Sequence, residues 1–147
     1  MNSLNIVVAE DSPTDAEAVV EMIKALRPSW RVVAMARSDA ETIDLVERYQ
    51  PDVVLLDIGL SGPRTGIEIA TEVAHQCPVI FVTGEMGHAV DAFDLGAVDY
   101  IVKPLTLARL DKAILRMEQM LRNSVLANGS AHGAGRSAAI ENARYMQ

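Results

Sequence analysis

The chain has 147 residues, enough for one domain with a full hydrophobic core and a spare segment. Half of it is hydrophobic but only 4% is aromatic, so the core must be built from Val, Ile, Leu, Ala and Met. The formal charge of −7 is uneven: residues 1–104 carry 17 acidic and 7 basic side chains, residues 105–147 carry 3 and 6, and so acidic a body argues against nucleic acid as a ligand of this chain itself.

No apolar stretch approaches the ~18 residues of a membrane span. The opening Met1–Asn5 has neither the charged start nor the apolar centre of an export signal, so a cytoplasmic protein without membrane contact is expected. The single Cys77 has no internal disulfide partner and reads as a small buried hydrophobe.

In chain order, the apolar run Ile6–Ala9 reads as a strand and stops at Glu10-Asp11. Ser12-Pro13 then reads as an N-cap and a first-turn proline, and Ala16, Val19, Val20, Ile23 and Leu26 keep helical spacing up to Pro28. Val32–Ala36 is a second strand whose end carries no reactive group. Ser38 or Asp39 caps a second helix with Ile43, Leu45 and Val46, closing before Pro51. Val53–Leu56 stops at Asp57, and a loop at Gly59–Gly66 leads to a third helix with Ile67, Ile69, Ala70 and Val73. Pro78–Val82 stops at Thr83, and a short helix over about His88–Leu95 closes at Gly96. Tyr100–Val102 stops at Lys103-Pro104, a candidate cis peptide. Thr106 opens a last helix whose Leu107, Leu110, Ile114, Met117 and Leu121 form one stripe. From Asn123 the pattern dissolves, 128–137 has linker composition, and Ala138–Gln147 could add one weak helical turn or two. The expected division is therefore a domain at 1–122 and a flexible linker or C-terminal tail at 123–147.

Alternating strands and helices predict an α/β fold with a five-stranded parallel sheet, doubly wound with five helices. Ligands of such sheets sit beyond the strand carboxyl ends where the winding reverses. Order 2-1-3-4-5 puts the first and third strands at that switch and leaves the second strand, the one without a reactive terminus, at the far edge. Three carboxylates, a hydroxyl and an ammonium then meet at one sheet edge. Glu10 and Asp11 suit a hard cation such as Mg²⁺. Asp57 can act as a nucleophile toward phosphorus. Thr83 offers a hydroxyl and Lys103 a compact positive charge to phosphoryl oxygens. Taken singly each is an ordinary turn or cap residue; together they make a site for a metal and a phosphoryl group, and the carboxylates need a cation to relieve their repulsion.

With Glu10-Asp11, Asp57, Thr83 and Lys103-Pro104 at these spacings, the chain over about Leu4–Leu121 resembles the CheY-like receiver domain of bacterial two-component response regulators. The strand order above is itself a hallmark of that family, so the two arguments overlap. The resemblance implies Mg²⁺-dependent acceptance of a phosphoryl group on Asp57 from a sensor histidine kinase or a histidine phosphotransfer protein. It implies Asp11, Asp57 and the Gly59 backbone carbonyl as metal ligands, with Glu10 acting through water. Thr83 would be the switch hydroxyl, Lys103 the phosphate contact, and Tyr100 either the aromatic that rotates inward with Thr83 or an ordinary packing residue with its hydroxyl at the surface. The face of the fourth helix, fifth strand and fifth helix would be the output surface, controlling an effector domain or partner and suited to homodimerisation, with Arg109, Lys112 and Arg116 as its basic residues.

Several positions depart from the family pattern. Ser61 stands where proline is usual, and Gly62-Pro63-Arg64-Thr65-Gly66 is one residue longer, so the loop is reshaped. Gly84 replaces the usual alanine after Thr83, permitting unusual backbone angles. Gly59 and Glu85 occupy positions that tune phosphoryl lifetime in the family; with no side chain at 59, water enters readily and a short-lived phosphoryl group is expected. The stretch Asp91–Leu105 is most similar to receivers that precede a LytTR DNA-binding domain in transcription regulators, although no such domain lies in this sequence. Rival readings are a stand-alone receiver, a pseudo-receiver serving as a protein-binding module, and a phosphatase using an aspartyl phosphate. Haloacid-dehalogenase-type phosphatases place their nucleophile after the first strand, whereas Asp57 follows the third. The chain is therefore expected to accept and lose its own phosphoryl group rather than to be a multiple-turnover enzyme.

Overall fold

The computed structural model describes residues 3–128. Five strands and five helices alternate: β1 (Asn5–Ala9), α1 (Pro13–Leu26), β2 (Arg31–Ala36), α2 (Asp39–Tyr49), β3 (Val53–Leu56), α3 (Gly66–Val73), β4 (Val79–Thr83), α4 (Ala89–Asp94), β5 (Asp99–Val102) and α5 (Leu107–Asn128). The strands form one parallel sheet in the order β2-β1-β3-β4-β5, as the chemistry of the strand ends predicts.

Successive strand residues point to opposite sheet faces, and both faces are covered, which explains the unbroken apolar runs. Ile6, Val8, Val53, Leu55, Ile80, Val82 and Ile101 pack under Val19 and Ile23 of α1 and Leu110, Ile114 and Met117 of α5. Val7, Ala9, Val54, Leu56 and Phe81 pack with Val46 of α2, Ile69 and Val73 of α3 and Ala92 of α4. Each fully buried Val, Leu, Ile or Phe contributes about 1.5–3 kcal/mol relative to exposure. Cys77 lies in the second layer, fully buried. Arg27 at the end of α1 clamps α5, donating from Nε and Nη2 to the two oxygens of Glu118 at 3.0 Å each. That bidentate carboxylate raises the already high pKa of the guanidinium.

The caps match the sequence reading. Ser12 accepts the Asp15 amide and Ser38 the Glu41 amide, while Thr106 Oγ1 accepts the Arg109 amide. Thr65 and Glu68 form a reciprocal capping box that starts α3. Gly96, at φ 80°, follows the short α4.

Four expectations need correction. The last helix does not dissolve at Asn123: it runs to Asn128, past the boundary expected at Arg122, and Ser124 is buried. No glycine or proline interrupts the chain until Gly129, so nothing in the backbone stops the helix sooner. The linker at 129–137 and the weak turns at Ala138–Gln147 lie outside the described residues. Leu107, counted in the α5 stripe, is 47% exposed and stands clear of the core. The fourth helix is shorter than expected, with His88 and Leu95 as flanking caps. Gly84 has open space around it and does not adopt a positive φ, so nothing in the structure demands glycine there.

Candidate functional site

The strand ladders deliver the reactive residues to one edge. The Glu10 amide donates to Ala36 O beyond β1, the Asp57 amide to Ala9 O beyond β3, and the Lys103 amide to Thr83 O beyond β5. The Lys103-Pro104 peptide is cis. Glu10, Asp57 and Thr83 are buried, whereas Asp11 is half-buried. Carboxylate oxygens of Glu10, Asp11 and Asp57 lie within 4.8 Å of one another. The five side chains expected to meet do so.

Lys103 is the hub. Its Nζ donates to Glu10 Oε1 at 2.7 Å, Asp15 Oδ2 at 2.8 Å and Asp57 Oδ2 at 3.0 Å. Burial alone would lower the ammonium's pKa, but these three carboxylates outweigh it and drive the pKa above the ordinary lysine value. Burial pushes the Glu10 carboxyl up, against the opposing pull of Lys103 and the Ser12 amide. Burial also acts upward on Asp57, yet the Gly59 amide at 3.1 Å, the Lys103 ammonium and the Thr83 hydroxyl hold its carboxyl below the usual range. Asp57 is thus kept ionised, as a nucleophile requires.

The donor set is all oxygen, which fits a hard divalent cation. Both Glu10 oxygens already accept hydrogen bonds, from Lys103 and from the Ser12 amide. Among the described residues, the hydrogen bond to Asp11 comes from the Ser61 hydroxyl, which donates to Oδ2 at 3.4 Å, and leaves Oδ1 open.

The loop after Asp57 absorbs its additional residue through Asp39. That buried carboxylate accepts the Arg64 amide at 3.1 Å and the Ala40 amide at 2.6 Å, while the Asp39 amide donates to Ser61 O. Gly62, at φ 122°, lies so close that a Cβ there would fall 2.3 Å from Asp39 Oδ1. Gly66 sits against the backbone of Asp57 and Ile58, where a Cβ would fall 2.4 Å from Ile58 Cα.

Above Asp57, a Cβ on Gly59 would lie 3.3 Å from Glu85 Oε2. The Glu85 amide donates to Thr83 Oγ1 at 3.2 Å, and the Tyr100 hydroxyl donates to the Glu85 carbonyl. Tyr100 is half-buried, its ring 5.7 Å from that of Phe81, and burial raises its pKa. The hydroxyl is therefore bonded to the loop that follows Thr83, in an exposed hydrogen bond. Arg109 and Arg116 are not unengaged basic groups of an output face: Arg109 donates two bonds of 2.8 Å to Asp99, and Arg116 lies 3.3 Å from it. On the same side, Met86, Val90 and Phe93 expose large apolar surface.

Asp15 was not among the residues singled out from sequence, and Asp39 was read there only as an alternative to Ser38 as helix cap. Both lie in the first turn of a helix, where an acidic residue already has a reason to be, complementing the helix dipole.

A family model described as the response regulator receiver domain matches residues 6–115. Relatives include an uncharacterized response regulatory protein of Vibrio cholerae, 34% identical over 122 residues, covering 81% of this chain and 46% of that one. The sensory transduction protein LytR of Staphylococcus haemolyticus is 29% identical, over 82% of this chain and 48% of its own length. Among solved structures, the REC domain of AraT, a response regulator from Geobacillus stearothermophilus, matches with a TM-score of 0.75 at 25% identity, covering 84% of this chain and 98% of that one. The chain spans about half the length of these curated relatives.

Proposed function

This chain belongs to the response regulator receiver domain family, and from that premise we propose that it is a phosphorylation-dependent switch with Asp57 as its phosphoacceptor. The observation that carries this reading is Lys103 Nζ standing 3.0 Å from Asp57 Oδ2 in a pocket with two further carboxylates. An Asp57 oxygen attacks phosphorus while the N–P bond of a phosphohistidine breaks, its electron pair staying on the imidazole. The donor belongs to a sensor histidine kinase or a histidine phosphotransfer protein. Asp11, Asp57 and the Gly59 carbonyl would hold Mg²⁺, with Glu10 acting through water. When bound, the ion neutralises charge on the carboxylates and the phosphoryl oxygens. Lys103 orients the phosphoryl group as a point charge, and Thr83 turns its hydroxyl toward it.

The phosphoryl group adds up to about two negative charges. Movement of Thr83 would act on the Glu85 amide it accepts, and through the Glu85 carbonyl on Tyr100, biasing the α4–β5–α5 face between two arrangements. The exposed Val90 and Phe93 suit that face for a homodimer or an effector domain. A cavity of about 520 Å³ lined by Asp15, Ala18, Met22, Val82, Lys103 and Leu105 reaches the site at Lys103, the partner of Asp57, and suits docking of the phosphodonor. Among the described residues no helix is long and apolar enough to cross a membrane. The stretch Asp91–Leu105 and the similarity to LytR favour an output of the LytTR class. The chain accepts and loses its own phosphoryl group rather than turning over a substrate.

Incubation with Mg²⁺ and acetyl phosphate, followed by intact mass and oligomeric state, tests the proposal. One phosphoryl group per chain is expected, absent in Asp57→Asn. Labelling that persists in Asp57→Asn, or none in the wild type, would refute it.

A further inference from the structure

Lys103 is held by one carboxylate more than the acidic pocket contributes. The ammonium has three N–H donors, and Glu10, Asp15 and Asp57 take them all, at 2.7, 2.8 and 3.0 Å. Glu10 and Asp57 belong with Asp11 to the group able to surround a cation; Asp15 does not. It stands on the first turn of α1 with its side chain 46% exposed, and with Lys103 it lines the neighbouring cavity.

We propose that Asp15 is a positioning residue that retains Lys103 in the resting protein and gives it up when the phosphoryl group arrives. The inference rests on the phosphoacceptor reading above and identifies what controls the cation of that site. As the Asp57–phosphorus bond forms, the carboxylate charge of Asp57 is lost and several phosphoryl oxygens come to need a donor. The N–H directed at Asp57 can turn to one of them, but a second contact requires Lys103 to leave another partner. Leaving Glu10, whose side chain is 4% exposed, would strand a buried carboxylate without its counter-charge. Leaving Asp15 costs little, because water replaces Lys103 at a half-exposed carboxylate. The less buried partner is the one released.

Asp15→Asn keeps the shape and removes the charge. Its phosphorylation by acetyl phosphate, in which the P–O bond to the acetyl group breaks and the electron pair leaves on acetate, is followed by intact mass at saturating Mg²⁺. The rate constant should rise by about fivefold, the scale of one exposed ion pair. Asp15→Glu should return it toward the wild-type value. The Mg²⁺ concentration that half-saturates thermal stabilisation of the unphosphorylated protein should not move. In a Lys103→Met background, Asp15→Asn should change nothing, which separates action through Lys103 from general repulsion of an anionic donor. A folded Asp15→Asn protein no faster than wild type, or an acceleration that survives Lys103→Met, overturns the proposal. Should Asp15→Asn fold poorly, Asp15→Ser supplies a second uncharged variant. A wild-type protein that takes no phosphoryl group refutes the phosphoacceptor reading instead, so the two failures are distinguishable.

Discussion

Gly66→Ala is expected to be among the most damaging single-methyl additions to this chain. A Cβ at Gly66 would lie 2.4 Å from Ile58 Cα, 2.7 Å from Asp57 O and 3.0 Å from Ile58 N. All three are backbone atoms at the end of β3, so no side chain can swing aside. Restoring ordinary contact needs about 1 Å of separation between the start of α3 and the strand, and overpacking of this kind costs about 1–3 kcal/mol. The same displacement stretches the hydrogen bond from the Gly66 amide to Ile58 O, now 2.9 Å, for about 1 kcal/mol more. The total of about 2–4 kcal/mol is a large share of a typical domain's stability of about 5–15 kcal/mol. Urea unfolding should show a lower midpoint at unchanged slope. Gly84→Ala is the internal contrast: with no atom within 4 Å of the added carbon, it should fall within about 0.5 kcal/mol of wild type. Equal, small effects at the two glycines would refute the close-approach reasoning. Because Ile58 follows Asp57, Gly66→Ala should also slow phosphorylation in whatever fraction remains folded.

Asp99→Asn should cost about 2 kcal/mol at pH 7, since Asp99 is buried and its carboxylate accepts two charge-assisted bonds from Arg109. Burial alone would raise the Asp99 pKa, but Arg109, the Tyr100 amide and Arg116 depress it below 3.8, so its contribution is present above pH 3.8 and is lost as pH falls through the depressed value. The gap between the two proteins, measured by denaturant unfolding, should therefore narrow between pH 7 and pH 2.5; a constant gap would contradict the assignment. Mg²⁺ should raise Tm, with a stabilisation of about 2.7 kcal/mol at a hundredfold excess over Kd, and Asp11→Asn should remove most of it. An unchanged response in Asp11→Asn would exclude that carboxylate as a ligand. The phosphoprotein, freed of donor, should lose its label in minutes by intact mass, because Gly59 places no side chain between water and Asp57; an hours-long half-life would contradict this.

The parts of the molecule readable from sequence were those set by local rules. Strand ends followed from where β-branched runs met a charged or hydroxylic residue, and sheet order followed from which run lacked one taken together with the family resemblance. Caps at Ser12, Ser38 and Thr106 followed from residue type and spacing. What stayed hidden depended on pairing across the chain. Asp15 and Lys103 are 88 residues apart, and nothing local marks Asp15 as more than a first-turn acid. Asp39 acts on Arg64 from 25 residues away, through a loop whose path a glycine with positive φ had to create. Arg109 and Arg116 looked available because their partner, Asp99, sits on a strand, where an acidic residue carries no periodic signal. The end of α5 was misread because polar Asn123 and Ser124 interrupt the stripe without breaking the helix.

The reach of α5 has a mechanical consequence. At about 1.5 Å per residue its 22 residues extend about 33 Å, more than twice the four-residue strand β5 beside it. A rod pivoted at Leu107, next to the phosphate-handling edge, converts a tilt of about 5° into a displacement of about 3 Å at Asn128. Adjustments too small to repack the interior would thus be amplified into a shift at the far tip large enough to make or break a contact.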